Sequence, residues 1–209
     1  IYPAPIDKNE RSCYSLFMSK GITTKETILK AALNLTSKFG LESLSIGELA
    51  KSVGMSKSGL FGHFKSKERL QIMVMDYAAN NFTQKVIVPA IKKERGLPRL
   101  EAIMENWKTW SGSHMAGGCP FLSSIVEFDD RPGKVHDHIE RLQAIMIGTF
   151  ERTIEIAQEE NHIGKDESAE QLAYQMYSNM IGYHIFSRLL KDKSSGKKFD
   201  QSNKNIFKQ

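Results

Sequence analysis

Residues 45–64 read S-I-G-E-L-A-K-S-V-G-M-S-K-S-G-L-F-G-H-F, and the fold is decided there. Ser45 followed three residues later by Glu48 is a capping box, in which a hydroxyl and a carboxylate satisfy backbone N–H groups at a helix start. Ile46, Leu49, Ala50 and Val53 then line one side of a short helix, and Gly54 supplies the positive backbone angle that ends it. Ser56 is a natural N-cap for a following helix that carries Leu60, Phe61 and Phe64. Two short helices joined by a tight glycine turn predict a helix-turn-helix, whose second helix presents its N-terminal residues to the major groove of DNA. Lys57 and Ser58 project from the first turn of that helix, where a cation and a hydroxyl can reach phosphates or base edges. Gly59 and Gly62 each cost roughly 1 kcal/mol relative to Ala inside a helix. Their presence predicts close approach of another body, for which a DNA backbone is a candidate.

Working outward, Ile28, Leu29, Ala32, Leu35 and Phe39 recur at helical spacing and predict a helix over Thr24–Phe39 that Gly40 stops. The charge is uneven. Residues 1–74 hold 11 Lys and Arg against 6 Asp and Glu, whereas residues 75–209 hold 18 of each, so the whole net charge of +5 sits in the first third. A basic head on a neutral body is the electrostatic footprint of a nucleic-acid-binding module carried by a second domain.

The stretch from Thr24 to Leu70, ending in K-S-K-E-R-L, resembles the N-terminal domain of tetracycline-repressor-family regulators almost residue for residue. The resemblance implies three helices with the third in the major groove, and a fourth helix beginning at Lys65–Leu70. By position it implies phosphate contacts at Ser45 and Lys67, and groove contacts at Ser56, Lys57 and Ser58. Phe61 stands where that family usually has tyrosine and lacks the phenolic hydroxyl; His63 follows as a phosphate or base contact. The later G-G-C-P-F-L and E-F-D-D-R-P-G elements resemble a subset of the same family.

Beyond Leu70 the pattern Ile72, Met75, Ala79, Phe82, Val86 predicts a long connecting helix ended by Pro89. Another helix is predicted from Pro98 to Trp110, followed by the loop S-G-S-H-M-A-G-G-C-P-F. Pro120 suits the first position of a new helix, which puts Cys119 at its N-cap and predicts a lowered thiol pKa there. Long amphipathic patterns over 133–160 and 168–191 close the fold. The second is apolar on more than one face, as expected if one face meets its own domain and another a partner subunit. The resemblance implies a homodimer through these last two helices, reading a palindromic operator on double-stranded DNA. Trp107, Trp110, Met115, Cys119, Phe121, Met146, Phe150, Tyr174 and Tyr177 supply an aromatic and Met-rich interior suited to a small apolar or aromatic effector.

The expectation is therefore an all-α chain: an N-terminal extension over 1–23, flexible; a helix-turn-helix domain over 24–70; a larger helical ligand-binding and dimerisation domain over 71–191; and a flexible basic tail over 192–209. The expected function is that of a repressor released from its operator by a small ligand, with redox or electrophile sensing through Cys119 as the alternative. No zinc or hydrolase signature occurs among the histidines, serines and cysteines. His136 and His138 point to different faces of a helix, so neither an enzyme nor a metal or other cofactor is expected. The apolar runs are too short and too charged to span a membrane and residues 1–17 show no secretory pattern, so the chain is expected in the cytoplasm.

Overall fold

The computed structural model describes residues 24–207, apart from the side chains of Ser113 and His114. The extension expected over residues 1–23 lies outside the described residues. The head consists of α1 (Thr24–Phe39), α2 (Ile46–Ser52) and α3 (Lys57–Phe64). Helix α4 (Lys67–Phe82) joins it to the body and runs on through a π-helical turn, Thr83–Ile87, into a last turn, Val88–Ala90. The body adds α5 (Leu97–Thr109) with a π-helical turn Trp110–His114, α6 (Pro120–Phe128), α7 (Lys134–Glu159), α8 (Ala169–His184) with a π-helical turn Ile185–Leu189, and α9 (Ser195–Ile206). No strand occurs among the described residues.

Serine hydroxyls set several of the helix starts. Ser45, Ser56, Ser66 and Ser168 each accept a hydrogen bond from the backbone N–H three residues on, and each such cap is worth about 1 kcal/mol. The turn between α2 and α3 is closed by Gly54 at φ 68°. Leu49, Ala50, Leu60 and Phe64 are buried with Ile28, Ala32, Leu33 and Leu70 as the core of the head.

Three expectations are corrected. Phe39, placed on the buried stripe of α1, is 67% exposed, while Leu33, Thr36 and Ser37 are buried instead. The helix is rolled toward the body, because small residues at its C-terminal end let the body's backbone come close. The helix expected to end at Pro89 continues to Ala90: the π turn places the proline, with its missing N–H, in a last turn that Ile91 N–H closes on the Ile87 carbonyl at 3.0 Å. The tail expected to be flexible over 192–209 forms α9 and docks on α8. Its Lys-rich composition conceals an apolar stripe. Phe199 and Phe207 are buried, and the Phe199 ring packs on Tyr183 at 5.0 Å and Trp107 at 5.6 Å. Asn179 donates to the Phe199 carbonyl, and Lys108 bridges to Asp200 at 2.7 Å.

Candidate nucleic-acid interface and interior site

On the head, Lys57, Ser58, Phe61 and His63 are all exposed along α3, whose other side carries the buried Leu60 and Phe64. Phe61 is 52% exposed despite its apolar ring. The Lys57 stem lies across α2, where a Cβ on Gly47 would stand 3.0 Å from its Cε. A Cβ on Gly62 would meet nothing within 4 Å, so the protein's own packing does not require glycine there. The Ser56 hydroxyl caps Gly59 N–H at 3.1 Å and lies 3.2 Å from the Ser58 hydroxyl. Ser45 likewise serves its own helix, accepting from Glu48 N–H at 3.1 Å. Lys67 is committed to Glu42, donating to its carbonyl at 2.5 Å and to its carboxylate at 3.2 Å. Burial raises the Glu42 pKa, but hydrogen bonds from Lys67 and Gln71 and the charges of Lys67 and Arg131 outweigh it and hold the carboxyl below its ordinary value. Any phosphate contact by Lys67 must share its ammonium with this carboxylate.

In the body, several of the expected interior residues come together. Trp107 on α5 and Trp110 on its π-helical turn are buried, and Phe82, Trp110 and Phe121 form a three-ring cluster with centroids 5.6–6.2 Å apart. Cys119 is 1% exposed and lies beside both Trp107 and Tyr177. Tyr177 donates to Gln143 Oε1 at 2.8 Å, and Gln143 in turn donates to the Phe121 carbonyl at 3.0 Å. Met115, Met146 and Phe150 are buried as expected. Tyr174 is not part of this interior. It is 67% exposed on the outer face of α8, in line with the exposed Ile181, Ile185 and Leu189, so it belongs to a surface stripe.

The expected lowering of the Cys119 pKa does not occur. Cys119 precedes Pro120 as the N-cap residue and its sulfur is hydrogen-bonded by the backbone at Leu122 and Phe121, but burial dominates and pushes the thiol up to about 11. Burial raises the Tyr177 phenol as well. The two histidines considered for a metal diverge, with His138 meeting Asp76 on α4 at 2.8 Å and His136 meeting Asp137 at 3.1 Å.

The segment Met115–Cys119 is the joint between head and body. Gly117 N–H donates to the Ser37 hydroxyl of α1 at 2.6 Å, and that hydroxyl donates to the Gly118 carbonyl at 3.3 Å. On the other side Arg188 donates to the Ala116 carbonyl at 2.9 Å. Gly118 sits at φ 95°, and a Cβ there would lie 2.5 Å from Arg188 Cδ and 2.6 Å from His184 Cε1. A second tie runs from Glu42 N–H to the Glu127 carboxylate of α6 at 2.7 Å. Ser37, Gln143, Arg188 and Phe82 carried no signal marking them for these roles, since each depends on which helix faces meet. Elsewhere, a cleft of about 190 Å³ between α5 and α9 is lined by Met104, Glu105, Phe199, Asp200, Asn203 and Phe207 among others, outside the Trp-lined interior.

Residues 28–71 match the family described as bacterial regulatory proteins, tetR family, and residues 96–202 match that described as tetracyclin repressor-like, C-terminal domain. The chain belongs to the tetracycline-repressor family. Among curated relatives of this family, the HTH-type transcriptional regulator AcrR of Shigella flexneri is 36% identical over 58 residues, covering 28% of this chain and 27% of that protein. The uncharacterized HTH-type transcriptional regulator YerO of Bacillus subtilis is 40% identical over 53 residues, covering 25% of this chain and 18% of that protein. The chain thus matches about a quarter or less of the length of these relatives. Among solved structures, TetR transcriptional regulators from Chloroflexus aurantiacus J-10-FL and Legionella pneumophila each superpose with a TM-score of 0.77 at 20% identity, covering 88% and 91% of this chain and 92% and 100% of theirs. AibR in complex with isovaleryl coenzyme A and operator DNA superposes at 0.65 with 19% identity, covering 87% of this chain and 96% of its own. At such identities the likeness is one of fold.

Proposed function

We propose that this member of the tetracycline-repressor family is a homodimeric, DNA-binding transcriptional repressor that a small apolar or aromatic ligand releases from a palindromic operator. The observation that carries the reading is the exposed face of α3, where Lys57, Ser58, Phe61 and His63 stand clear of the head's core on a helix-turn-helix. The helix N-terminus and the Lys57 ammonium supply the charge that phosphate requires, and Ser58 adds a hydroxyl. Ser45 and Ser56 act chiefly by fixing the two helices. Dimerisation is supported by Tyr174, Ile181, Ile185, Phe186 and Leu189 along α8 and by Ile145 on α7, an apolar surface of the kind that marks a protein interface.

The route from ligand to DNA passes through the 115–119 segment. One of its sides is held by Ser37 of the head, the other by Arg188 of the π-helical turn after α8, and its last residue, Cys119, is sunk among Trp107 and Tyr177. A ligand that enters among these side chains displaces the wall formed by the loop, and a shift of the loop carries α1 with it. Binding then favours a body conformation in which the two heads are wrongly spaced for adjacent major grooves; the ligand must bind that conformation better for the population to move. AibR, which shares this fold, is solved in complex with isovaleryl coenzyme A and operator DNA, so the architecture serves both a small ligand and DNA in that protein. Sensing through Cys119 draws less support, because the thiol is buried and its pKa is raised.

The test is a mobility shift with DNA from upstream of the protein's own gene at two salt concentrations, with Lys57→Ala alongside. A specific complex weakened by salt and by the substitution is the expected result. Binding that ignores sequence, or is untouched by K57A, refutes the reading.

A further inference from the structure

We propose that the interior site takes a neutral, planar aromatic compound bearing a carbonyl-type acceptor, which the indole N–H groups of Trp107 and Trp110 hold. The inference rests on the regulator reading above and specifies its ligand. Both indoles are buried, and neither Nε1–H makes a hydrogen bond with proper geometry to any protein acceptor. The Trp107 indole N–H is directed at the weakly accepting Cys119 sulfur, and its ring packs on Tyr183 and Phe199. Folded proteins leave few buried donors unmet, and having two on one helix calls for a reason. The residues stand three apart on α5 and its π-helical continuation, so their side chains leave the same side of the helix about one turn apart.

The surroundings select the rest of the ligand. Phe121 lies nearly parallel to Trp110, at 30° and 6.2 Å, and Phe82 meets the same indole edge-on at 5.6 Å, which suits a flat ring in place of or beside these side chains. Tyr177 is already matched to Gln143, and Gln143 to the Phe121 carbonyl. The indoles are therefore the donors in need of an acceptor. A carboxylate is disfavoured, because the burial that raises Cys119 and Tyr177 penalises any anion, and the guanidinium of Arg188 is engaged by the Ala116 carbonyl. A pure hydrocarbon leaves both donors unmet. A neutral carbonyl on an aromatic frame satisfies both constraints.

The chain has two tryptophans, so the ¹⁵N-labelled chain gives two indole N–H signals. The probes are 1-indanone and indane, two bicyclic molecules of nearly equal size that differ by one carbonyl. Addition of 1-indanone to millimolar concentration is expected to move at least one indole proton downfield, and indane is expected not to. Trp107→Phe and Trp110→Phe are each expected to weaken 1-indanone binding about tenfold, as for loss of one hydrogen bond, and indane binding less. Equal responses to the two probes, binding of 1-indanone without an indole shift, or no response to either overturns the proposed ligand class; the wild-type spectra decide this even if a variant fails to fold. The regulator reading stands or falls separately. A protein that binds operator DNA but whose indoles ignore 1-indanone keeps that reading and loses this inference, while responsive indoles with no DNA binding do the reverse.

Discussion

Gly117→Ala tests the joint between head and body. A Cβ on Gly117 would lie 1.4 Å from the Ser37 carbonyl oxygen, 2.0 Å from its carbon and 2.5 Å from Lys38 N. Real Cβ atoms essentially never approach within 3.0 Å, and these neighbours are backbone, so α1 and the loop must separate by at least about 1.6 Å. That displacement breaks both hydrogen bonds of the Ser37 hydroxyl, to Gly117 N–H and to the Gly118 carbonyl. Two such bonds, with their partners left in a partly buried seam, are worth about 1–3 kcal/mol, and for a chain of this size that lowers Tm by roughly 3–10 °C. Ser37→Ala removes the same hydrogen bonds without the overlap and is expected to cost less. Thermal unfolding of wild type, S37A and G117A, followed by operator binding at a temperature where all three are folded, measures both consequences. The expected order of stability is wild type, S37A, G117A. If the loop transmits the ligand signal, G117A also shows altered operator release by ligand. A G117A protein with wild-type Tm and wild-type release would falsify the assignment of this loop as the coupling element.

Two further outcomes follow from the same geometry. In a Cys13→Ser background, so that Cys119 is the sole thiol of the chain, iodoacetamide at neutral pH is expected to react at least about 100-fold more slowly with the folded protein than with the chain in denaturant, because burial pushes the thiol up to about 11, which depletes the thiolate, and also limits access. A native rate equal to the denatured one would refute the burial and restore Cys119 as a sensor. Gly62→Ala places a Cβ where nothing lies within 4 Å, so it is expected to stabilise the head by roughly 1 kcal/mol through helix propensity and yet weaken operator binding, seen by paired melting and mobility-shift measurements. Unchanged DNA affinity would show that glycine here does not serve close approach.

The head was legible because its signals are local. Capping by Ser45 and Ser56 and the turn at Gly54 depend on residues within a few positions of one another, and the structure shows those hydrogen bonds and that positive φ. Helix existence in the body was legible for the same reason, from periodicity. What escaped was the choice among faces. Tyr174 and Tyr177 lie three residues apart on a helix that is apolar over more than one side, and periodicity alone gives no ground for sending Tyr177 to Gln143 and Tyr174 to the surface. The basic tail misled through composition: five lysines outweigh two phenylalanines in any average, but Phe199 and Phe207 are both buried, and Phe199 packs on Trp107 and Tyr183 of the body.

Cys119 shows how two correct local rules can compete. The N-cap position favours a thiolate through the helix N-terminus and backbone N–H groups, and those hydrogen bonds do form. Complete burial favours the neutral thiol, and because desolvation of a full charge outweighs a partial dipole, burial wins. The same desolvation bears on everything else in that interior. It keeps Tyr177 protonated, leaves the neutral indoles of Trp107 and Trp110 as the donors without an acceptor, and so shifts the candidate sensing chemistry from a reactive sulfur to a pair of N–H groups. Cys119 then contributes by position. It anchors one end of a loop whose glycines admit α1 on one side and Arg188 on the other, so in the proposed mechanism a molecule that displaces the thiol from Trp107 acts at once on the head and on the helix that carries the exposed apolar stripe.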